Sequence, residues 1–393
     1  MIPTLLTFKP LGSFFFGGSE SFNESFHVIS RRWPSMMTLL GMLRFTILAQ
    51  LCPHLLKISG ERIYPKCKND KDQSLVQHLT GDIKHFKLSD TNPDLGIIKK
   101  ISPVFLVKLN LDGTINDCLF PLPADVIKNS QRDLPLMKYR TYSNNPDARA
   151  IIRQKEITHA VRSLQSPKLT APPYLGGSAF WKNYCLGEPL PIVEEHAFDE
   201  LFRSRLIPGI RRSNRNVTEQ GFFMKQEYRL KSGFAFGILV RFRDKHDTLP
   251  PLGIAPGKPP LSDGDVQMGG ERSRFQMRVL EPDKQQEPYF SHPVIRRLLN
   301  EKSVNILSVK TKYVGLGPVT VSLPVEKLEH CWIPAAQSLR QLQYNSKTKK
   351  TDSYRMIPRG AVVIPGEDIT LDDPQTLADR LGGNCWLQAR KGD

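Results

Sequence analysis

The stretch that decides the fold is LGSFFFGGSESFNESFHVISRRWPSMMTLLGMLRF, which covers residues 11–45. It places a short aromatic strand and a loop at Gly17 and Gly18 ahead of an apolar segment that follows Ser35. Apolar residues recur in that segment at helical spacing, which predicts a helix that begins after Pro34. A strand, a loop and a helix in this order are typical of an α+β unit. The phenylalanines at 14–16 either fill the core or stack on bases, and we expect most of them in the core.

The same stretch lacks the features of an export or membrane segment. Residues 1–6 contain no basic residue, whereas a signal peptide needs a basic start. The apolar run over residues 36–52 carries Arg44 at its centre, and an arginine at bilayer depth is costly. We therefore expect a buried helix in a cytoplasmic protein that has no membrane partner.

Charge is the strongest global signal in the composition. The 393 residues include 55 Lys and Arg against 39 Asp and Glu, a formal net charge of +16. Such an excess favours an anionic partner, and nucleic acid is the usual one. The six cysteines show no CxxC spacing, so we expect neither a zinc site nor a disulfide framework.

The length is enough for two domains, and composition suggests where they meet. A Pro- and Gly-rich segment at 251–264 predicts a linker between an N-terminal domain (1–250) and a C-terminal domain (265–393). Residues 120–204 are Pro-rich and read as an insertion in the first domain.

Several local patterns predict further elements. Asp112-Gly113 is typical of a hairpin turn, and residues 221–242 predict a second hairpin with its turn at 231–233. Helical spacing predicts helices over 194–206 and 336–344. The arginine-rich residues 205–220 read as a loop.

Motifs for nucleotide, metal or nucleophile chemistry are missing from the sequence. It contains no GxxxxGK[ST], HExxH or GxSxG, so we predict no cofactor, no metal and no catalytic residue. One alternative stays open, because a single histidine beside an RNA backbone can act as a general base without metal. His27 is the best placed residue for that role.

Two kinds of segment suit nucleic-acid contact. Gly269 and Gly270 would let the backbone approach a phosphodiester while Arg272 and Arg274 supply charge, although a plain tight turn with solvated arginines fits as well. Basic clusters at 211–216 and 345–350 adjoin aromatic strands, where phosphate contact needs only the charge and stacking needs exposed rings.

Six blocks in consistent order resemble a known family. They are FFFGGSESF, WPSMMTLLGMLRFTIL, ISPVFLV with LFPLPAD, FWKNYCLGEPLP, GIRRSNRNVTEQGFFMKQEYRLKSGFAF and MGGERSRF. Together they are similar to the third subunit of type III-B CRISPR Cmr complexes, within the RAMP superfamily. The resemblance spans roughly residues 7 to 275, and the last hundred residues match less recognisably.

The resemblance implies a fold and a role. It implies two ferredoxin-like, RRM-related modules with large insertions and a glycine-rich loop, which Gly269 to Arg274 would supply. It also implies a non-catalytic subunit that holds the 5′ tag of the CRISPR RNA (crRNA). Its partners would be the large polymerase-like subunit and the backbone RAMP subunits.

These considerations give one set of predicted RNA-binding residues. They are Arg44, Arg211, Arg212, Asn214, Arg215, Gly269, Gly270, Glu271, Arg272 and Arg274. Two other functions stay open from the residues themselves: a metal-independent RAMP endoribonuclease that processes precursor crRNA, and a basic scaffold that binds DNA.

Overall fold

The fold of the protein is given by a computed structural model. It describes residues 3–17, 27–59, 62–65, 67, 69–82, 90–127, 137–138, 152–153, 156–157, 174–188, 190, 196–213, 216–243, 259–269, 273–280, 288–300, 304, 306–309, 311–319, 323, 327–332, 337–342, 350–356, 359–371 and 376–389. Within these ranges, the side chains of residues 27, 58–59, 62–65, 127, 137–138, 152–153, 156–157, 210–213, 216–222, 288, 329–332, 337–342 and 350–356 are outside the description.

Strands make up most of the regular structure. In chain order they are β1 (Thr4–Pro10), β2 (His27–Ile29), β3 (Leu56–Ser59), β4 (Arg62–Pro65), β5 (Ile98–Ile101), β6 (Phe105–Leu109), β7 (Ile115–Pro121), β8 (Val126–Ile127), β9 (Met137–Lys138), β10 (Ile152–Arg153), β11 (Glu156–Ile157), β12 (Leu175–Gly176), β13 (Phe202–Ser213), β14 (Asn216–Leu230), β15 (Phe234–Phe242), β16 (Gly264–Met268), β17 (Ser273–Leu280), β18 (Ile306–Leu307), β19 (Lys312–Gly315), β20 (Leu328–Trp332), β21 (Gln337–Leu342), β22 (Lys350–Met356), β23 (Val362–Pro365), β24 (Ile369–Thr370) and β25 (Trp386–Ala389).

The helices are fewer and mostly short. They are α1 (Met36–Leu51), α2 (Asp70–Thr80), α3 (Ser178–Leu186), α4 (Phe198–Leu201), α5 (Pro293–Leu299) and α6 (Leu377–Arg380). With largely antiparallel strand pairing, this makes the protein α+β, as the sequence predicts. In the part of the chain that the structure describes, no helix combines the length and apolar character needed to cross a membrane.

The chain divides into two compact units, each assembled from separate stretches of sequence. Unit 1 comprises Met1–Lys84, Asp94–Lys99 and Asp199–Pro282, and unit 2 comprises His85–Pro93, Lys100–Phe198 and Asp283–Asp393. β16 and β17 follow residues 251–264, where a linker is expected, and they pair within the sheet of β1. The linker itself stays a prediction. Linker-like composition does not reveal which sheet the next strand joins.

Unit 1 is built on antiparallel strands in the order β15, β1, β17, β16. Alternation along β17 places Phe275 and Met277 on a buried face. They join Leu6 and Phe8 of β1, a strand that is buried on both faces from Thr4 to Phe8. A second sheet pairs β14 with β13 antiparallel and with β2 in parallel.

Capping side chains fix where the two longer helices begin. The Ser35 side chain accepts a hydrogen bond from the backbone N–H of Thr38, which starts α1 where the sequence predicts it. The Asn69 side chain accepts a hydrogen bond from the backbone N–H of Asp72 and starts α2. α1 packs against α2 and β16.

Unit 2 contains the β6–β7 hairpin that Asp112-Gly113 predicts, and Gly113 has a φ of +82° in its turn. β12 extends this hairpin on the β7 side. A separate sheet has the strand order β20, β23, β19, β25 and buries a cluster that includes Tyr313 and Trp386.

Four local predictions are wrong. Residues 221–242 do form two strands, but β14 and β15 lie in different sheets instead of one hairpin. The arginine-rich residues expected as a loop continue β13 to Ser213. The helix expected at 194–206 is limited to α4 before β13 begins, and residues 337–342 of the other expected helix form β21. In each case strand pairing satisfies the backbone and overrides the local pattern.

Candidate nucleic-acid interface

Two of the family-like blocks meet at one corner of unit 1. Gly269 has a φ of +92°, and a Cβ there would come within 2.3 Å of the Phe15 carbonyl oxygen. The Phe15 N–H donates to Ser273 Oγ at 3.1 Å. Only glycine fits this close approach. We call Phe15, Phe16, Gly269 and Ser273 the glycine corner.

The aromatic residues next to the corner belong to the core. Phe14, Phe15 and Phe16 are 1%, 8% and 6% exposed. Phe16 stacks on Phe275 with ring centroids 5.9 Å apart, and Phe14 meets the Phe236 ring edge-on at 5.4 Å. The expectation that most of these phenylalanines fill the core is confirmed. Tyr228, another possible stacking ring, is buried as well.

An exposed polar face lies on the outer side of β1, β17 and β16, beside the glycine corner. Lys9, Gln276 and Asp265 occupy one row across the three strands. Gln267 pairs with Arg274 one step nearer to Gly269. We call Lys9, Gln267, Arg274 and Gln276 the polar sheet face, and all four are exposed.

Arg274 is one of the predicted RNA-binding residues, and its side chain lies on the polar sheet face. Its Nη2 lies 2.8 Å from Asp265 Oδ2, in an ion pair whose two side chains are 67% and 52% exposed. An ion pair this exposed is weak, so the guanidinium remains available to a stronger anion. Gly270, Glu271 and Arg272 lie outside the described residues.

Arg44 lies in the middle of α1 and is partly buried. Its Nη2 donates to the carbonyl oxygens of Asp82 at 3.2 Å and of Asp94 at 3.4 Å. Burial lowers the pKa of Arg44 to about 10, and attraction to the Asp94 and Asp82 carboxylates partly offsets this. These bonds join α1 to the segments around Asp82 and Asp94, and an RNA contact of Arg44 stays a prediction.

Arg211 and Arg212 lie near the far end of the β13–β14 hairpin. Ile210 pairs with Phe222 and Arg212 with Val217, so the register shifts at Arg211 and the extra residues lie on β14. Asn214 and Arg215 lie outside the described residues, as does most of the basic cluster at 345–350. The side chains of Arg211 and Arg212 are not described either, so RNA contact of these hairpin residues stays a prediction.

A charged network that the sequence analysis missed lies beside the corner. Lys225 Nζ is 2.6 Å from Glu227 Oε1, and Ser13 Oγ donates to Glu227 Oε2 at 2.6 Å. Burial alone would raise the pKa of Glu227, but these hydrogen bonds and the charges of Lys225 and Arg205 bring it below its ordinary value. The alternation of Lys225 and Glu227 on one strand face was the available signal.

No metal site is found among the residues that the structure describes, where His, Cys, Asp and Glu form no group of three or more that could hold an ion. His27 lies in β2 opposite Met224, but its side chain is not described. The geometry of a histidine general base is therefore not tested.

Three comparisons relate the chain to known proteins. A protein-family model described as "CRISPR-associated protein (Cas_Cmr3)" matches residues 6–307, which is more than half of the chain. No curated protein sequence matches it significantly.

Solved structures of type III-B complexes give weaker matches. Chains of "Type III-B Cmr-beta bound to cognate target RNA and AMPPnP, state 1" and of "Type III-B Cmr-beta bound to cognate target RNA" are each 14% identical to this chain. Their TM-scores are 0.42 and 0.40, and both matches cover 91% of this chain. They cover 85% and 86% of the matched chains, respectively.

Proposed function

Because the chain belongs to the Cas_Cmr3 family of CRISPR-associated proteins, we propose that it is a non-catalytic RNA-binding subunit of a type III-B Cmr effector complex. In this proposal it holds the 5′ tag of the crRNA and links the large polymerase-like subunit to the backbone RAMP subunits. Its two modules would be ferredoxin-like, with the linker at 251–264, and the complex would act in the cytoplasm.

The observation that carries the proposal is the exposed polar face beside the glycine corner. Arg274 and Lys9 are cations on a flat strand surface, and Gln267 and Gln276 add groups that both donate and accept hydrogen bonds. Gly269 brings its backbone to the edge of the same surface. Charge that neutralises phosphates, together with polar groups that can reach base edges, is what recognition of single-stranded RNA needs.

A binding experiment tests this surface. We expect the purified chain to bind an RNA that carries the common 5′ end of crRNAs recovered from the native host. Replacing Lys9 and Arg274 with Gln should lower the salt slope of log Kd by about 1.4, since each lost phosphate contact on a single strand removes about 0.7. The matched control replaces Lys57 and Lys71, which are exposed on β3 and α2, with Gln.

Two results would overturn the proposal. One is a salt slope that the K9Q/R274Q variant shares with the wild type. The other is cleavage of precursor crRNA in EDTA that His27→Ala abolishes, because it would make the chain the endoribonuclease.

The hairpin arginines have their own test. Replacing Arg211, Arg212 and Arg215 together with Ala should weaken RNA binding uniformly across sequences and lower its salt dependence. An unchanged salt slope would remove these three residues from the interface while leaving the polar sheet face in place.

A further inference from the structure

A second basic surface lies at the base of the β13–β14 hairpin. Arg203 pairs directly with Arg229, and the next pair on the same side of the ribbon is Arg205 with Glu227. Arg203, Arg205 and Arg229 are exposed. We call these three residues the arginine face.

The opposite side of the hairpin fixes where these arginines point. Phe202, Tyr228 and Leu230 alternate with them along the two strands and are 2%, 6% and 8% exposed. The Phe202 ring packs against Phe236 in the core of unit 1. Because neighbouring side chains of a strand lie on opposite faces, burial of this side directs the arginines to solvent.

The Arg203–Arg229 pair is unfavourable for the fold when no anion is bound. Like charges directly opposite each other on neighbouring strands are destabilising. Among the side chains that the structure describes, no carboxylate forms an ion pair with Arg203 or Arg229, and Glu227 is already bonded to Lys225 and Ser13. An external anion would remove the repulsion.

We propose that the arginine face binds the phosphodiester backbone of single-stranded RNA, as a contact additional to the polar sheet face. Guanidinium groups bind phosphate oxygens in a bidentate manner, and residues two apart on a strand are about 6.8 Å apart. None of these three residues is aromatic, and the half-buried Phe223 lies three pairs farther along the same side of the hairpin, opposite Gly209. Contact with the three arginines therefore fixes the path of the strand and reads no base. The inference rests on the proposed function, because it assumes an RNA ligand.

The test compares the double variant Arg203→Gln/Arg229→Gln with the wild type in full-length protein. With an RNA oligonucleotide, the salt slope of log Kd should fall by about 1.4, and by the same amount for RNAs of different sequence. The variant Arg203→Lys/Arg229→Lys keeps the charge and should keep the slope. The control Lys57→Gln/Lys71→Gln removes equal charge elsewhere in unit 1 and should leave the slope unchanged.

Thermal unfolding separates RNA binding from a structural role. Without RNA, Arg203→Gln/Arg229→Gln should keep the Tm or raise it, because a repulsion is removed. A lower Tm together with weaker binding would overturn the inference and make these arginines structural.

An unchanged salt slope in a variant of normal Tm would also overturn it, and would favour an acidic protein as the partner of this face. If the wild type binds no RNA, the proposed function fails first, so the two failures are distinguishable.

Discussion

His292 is a buried histidine at the start of α5. Its side chain is fully buried, and Nδ1 accepts a hydrogen bond from the Val294 N–H at 3.1 Å, which caps the helix. Burial lowers the pKa of His292 from its ordinary value of 6.5 to about 3. The folded state therefore holds this imidazole neutral where the unfolded chain would protonate it.

This pKa shift makes stability depend on pH. Because the folded pKa lies below the unfolded one, the contribution of His292 is complete above pH 6.5 and is lost as pH falls towards 3. Between pH 7 and pH 4.5 the wild type should lose about 2–3 kcal/mol of unfolding free energy from this group.

Denaturant titrations at the two pH values measure the loss. His292→Asn keeps a side chain able to cap α5 but does not titrate, so its stability should fall less steeply with acid. His54→Asn, at an exposed position, should behave as the wild type does. Parallel pH profiles for wild type and His292→Asn would contradict the assignment.

A buried ion pair links distant parts of unit 2. Lys312 Nζ lies 2.9 Å from Asp125 Oδ2, and the two side chains are 5% and 3% exposed. The Tyr184 hydroxyl donates to Asp125 Oδ1 at 2.8 Å, and Lys312 Nζ lies 4.5 Å from the centre of the Tyr184 ring. Burial and the Asp125 carboxylate raise the pKa of Tyr184, which keeps it a donor.

Removing one partner should leave the other charge buried and unpaired. We expect Asp125→Asn or Lys312→Met each to lower the free energy of unfolding by about 3–5 kcal/mol. The double variant should cost less than the sum of the two. The exposed ion pair Lys327–Glu367, whose charged atoms lie 2.8 Å apart, is the control. Lys327→Met should lower the free energy of unfolding by less than about 1 kcal/mol. Additive losses in equilibrium unfolding would show that Asp125 and Lys312 do not interact.

At the scale of elements, the β16–β17 hairpin depends on one backbone conformation. Gly269 combines a positive φ with the close approach to Phe15. The turn thereby sets how close β17 lies to the segment that follows β1.

Gly269→Ala should disturb both the turn and the surface beside it. We expect a loss of about 1–3 kcal/mol in unfolding free energy, and weaker RNA binding if the proposed interface is correct. Gly12→Ala is the control, because a Cβ there meets nothing within 4 Å. An unfolding free energy equal to that of Gly12→Ala would show that the corner tolerates a side chain.

Element pairing also marks the limit of sequence-based prediction. The patterns of β14 and β15 identify both strands, and the Ser232-Gly233 turn suggests that they pair. Instead, β14 pairs with β13, the strand directly before it, and β15 pairs with the distant β1. Which strands pair depends on the burial of whole sheet faces, and a short stretch of sequence does not contain that information.

At the scale of the whole molecule, the net charge of +16 suits any polyanion. Charge alone does not separate RNA from DNA, because both backbones release counterions when bound. The 2′-hydroxyl is the group that distinguishes them at a given site.

A competition experiment distinguishes an RNA subunit from a basic scaffold. With labelled tag RNA bound at moderate salt, unlabelled RNA should displace it at a lower concentration than DNA of the same sequence. Repeating the titration at higher salt should widen the ratio, because salt weakens the shared phosphate contacts. Equal displacement by DNA would favour the scaffold.

The sequence by itself determined the α+β class, the start of α1, the turns at Gly113 and Gly269, and the basic character, since these follow from local periodicity, capping and composition. The family could also be recognised from ordered blocks of residues. Only the tertiary structure decided that β16 and β17 join the sheet of β1, that Arg44 bonds to the carbonyls of Asp82 and Asp94, and that Arg203 faces Arg229. These facts depend on contacts between residues far apart in sequence, whose free energy comes from burial that no local pattern encodes.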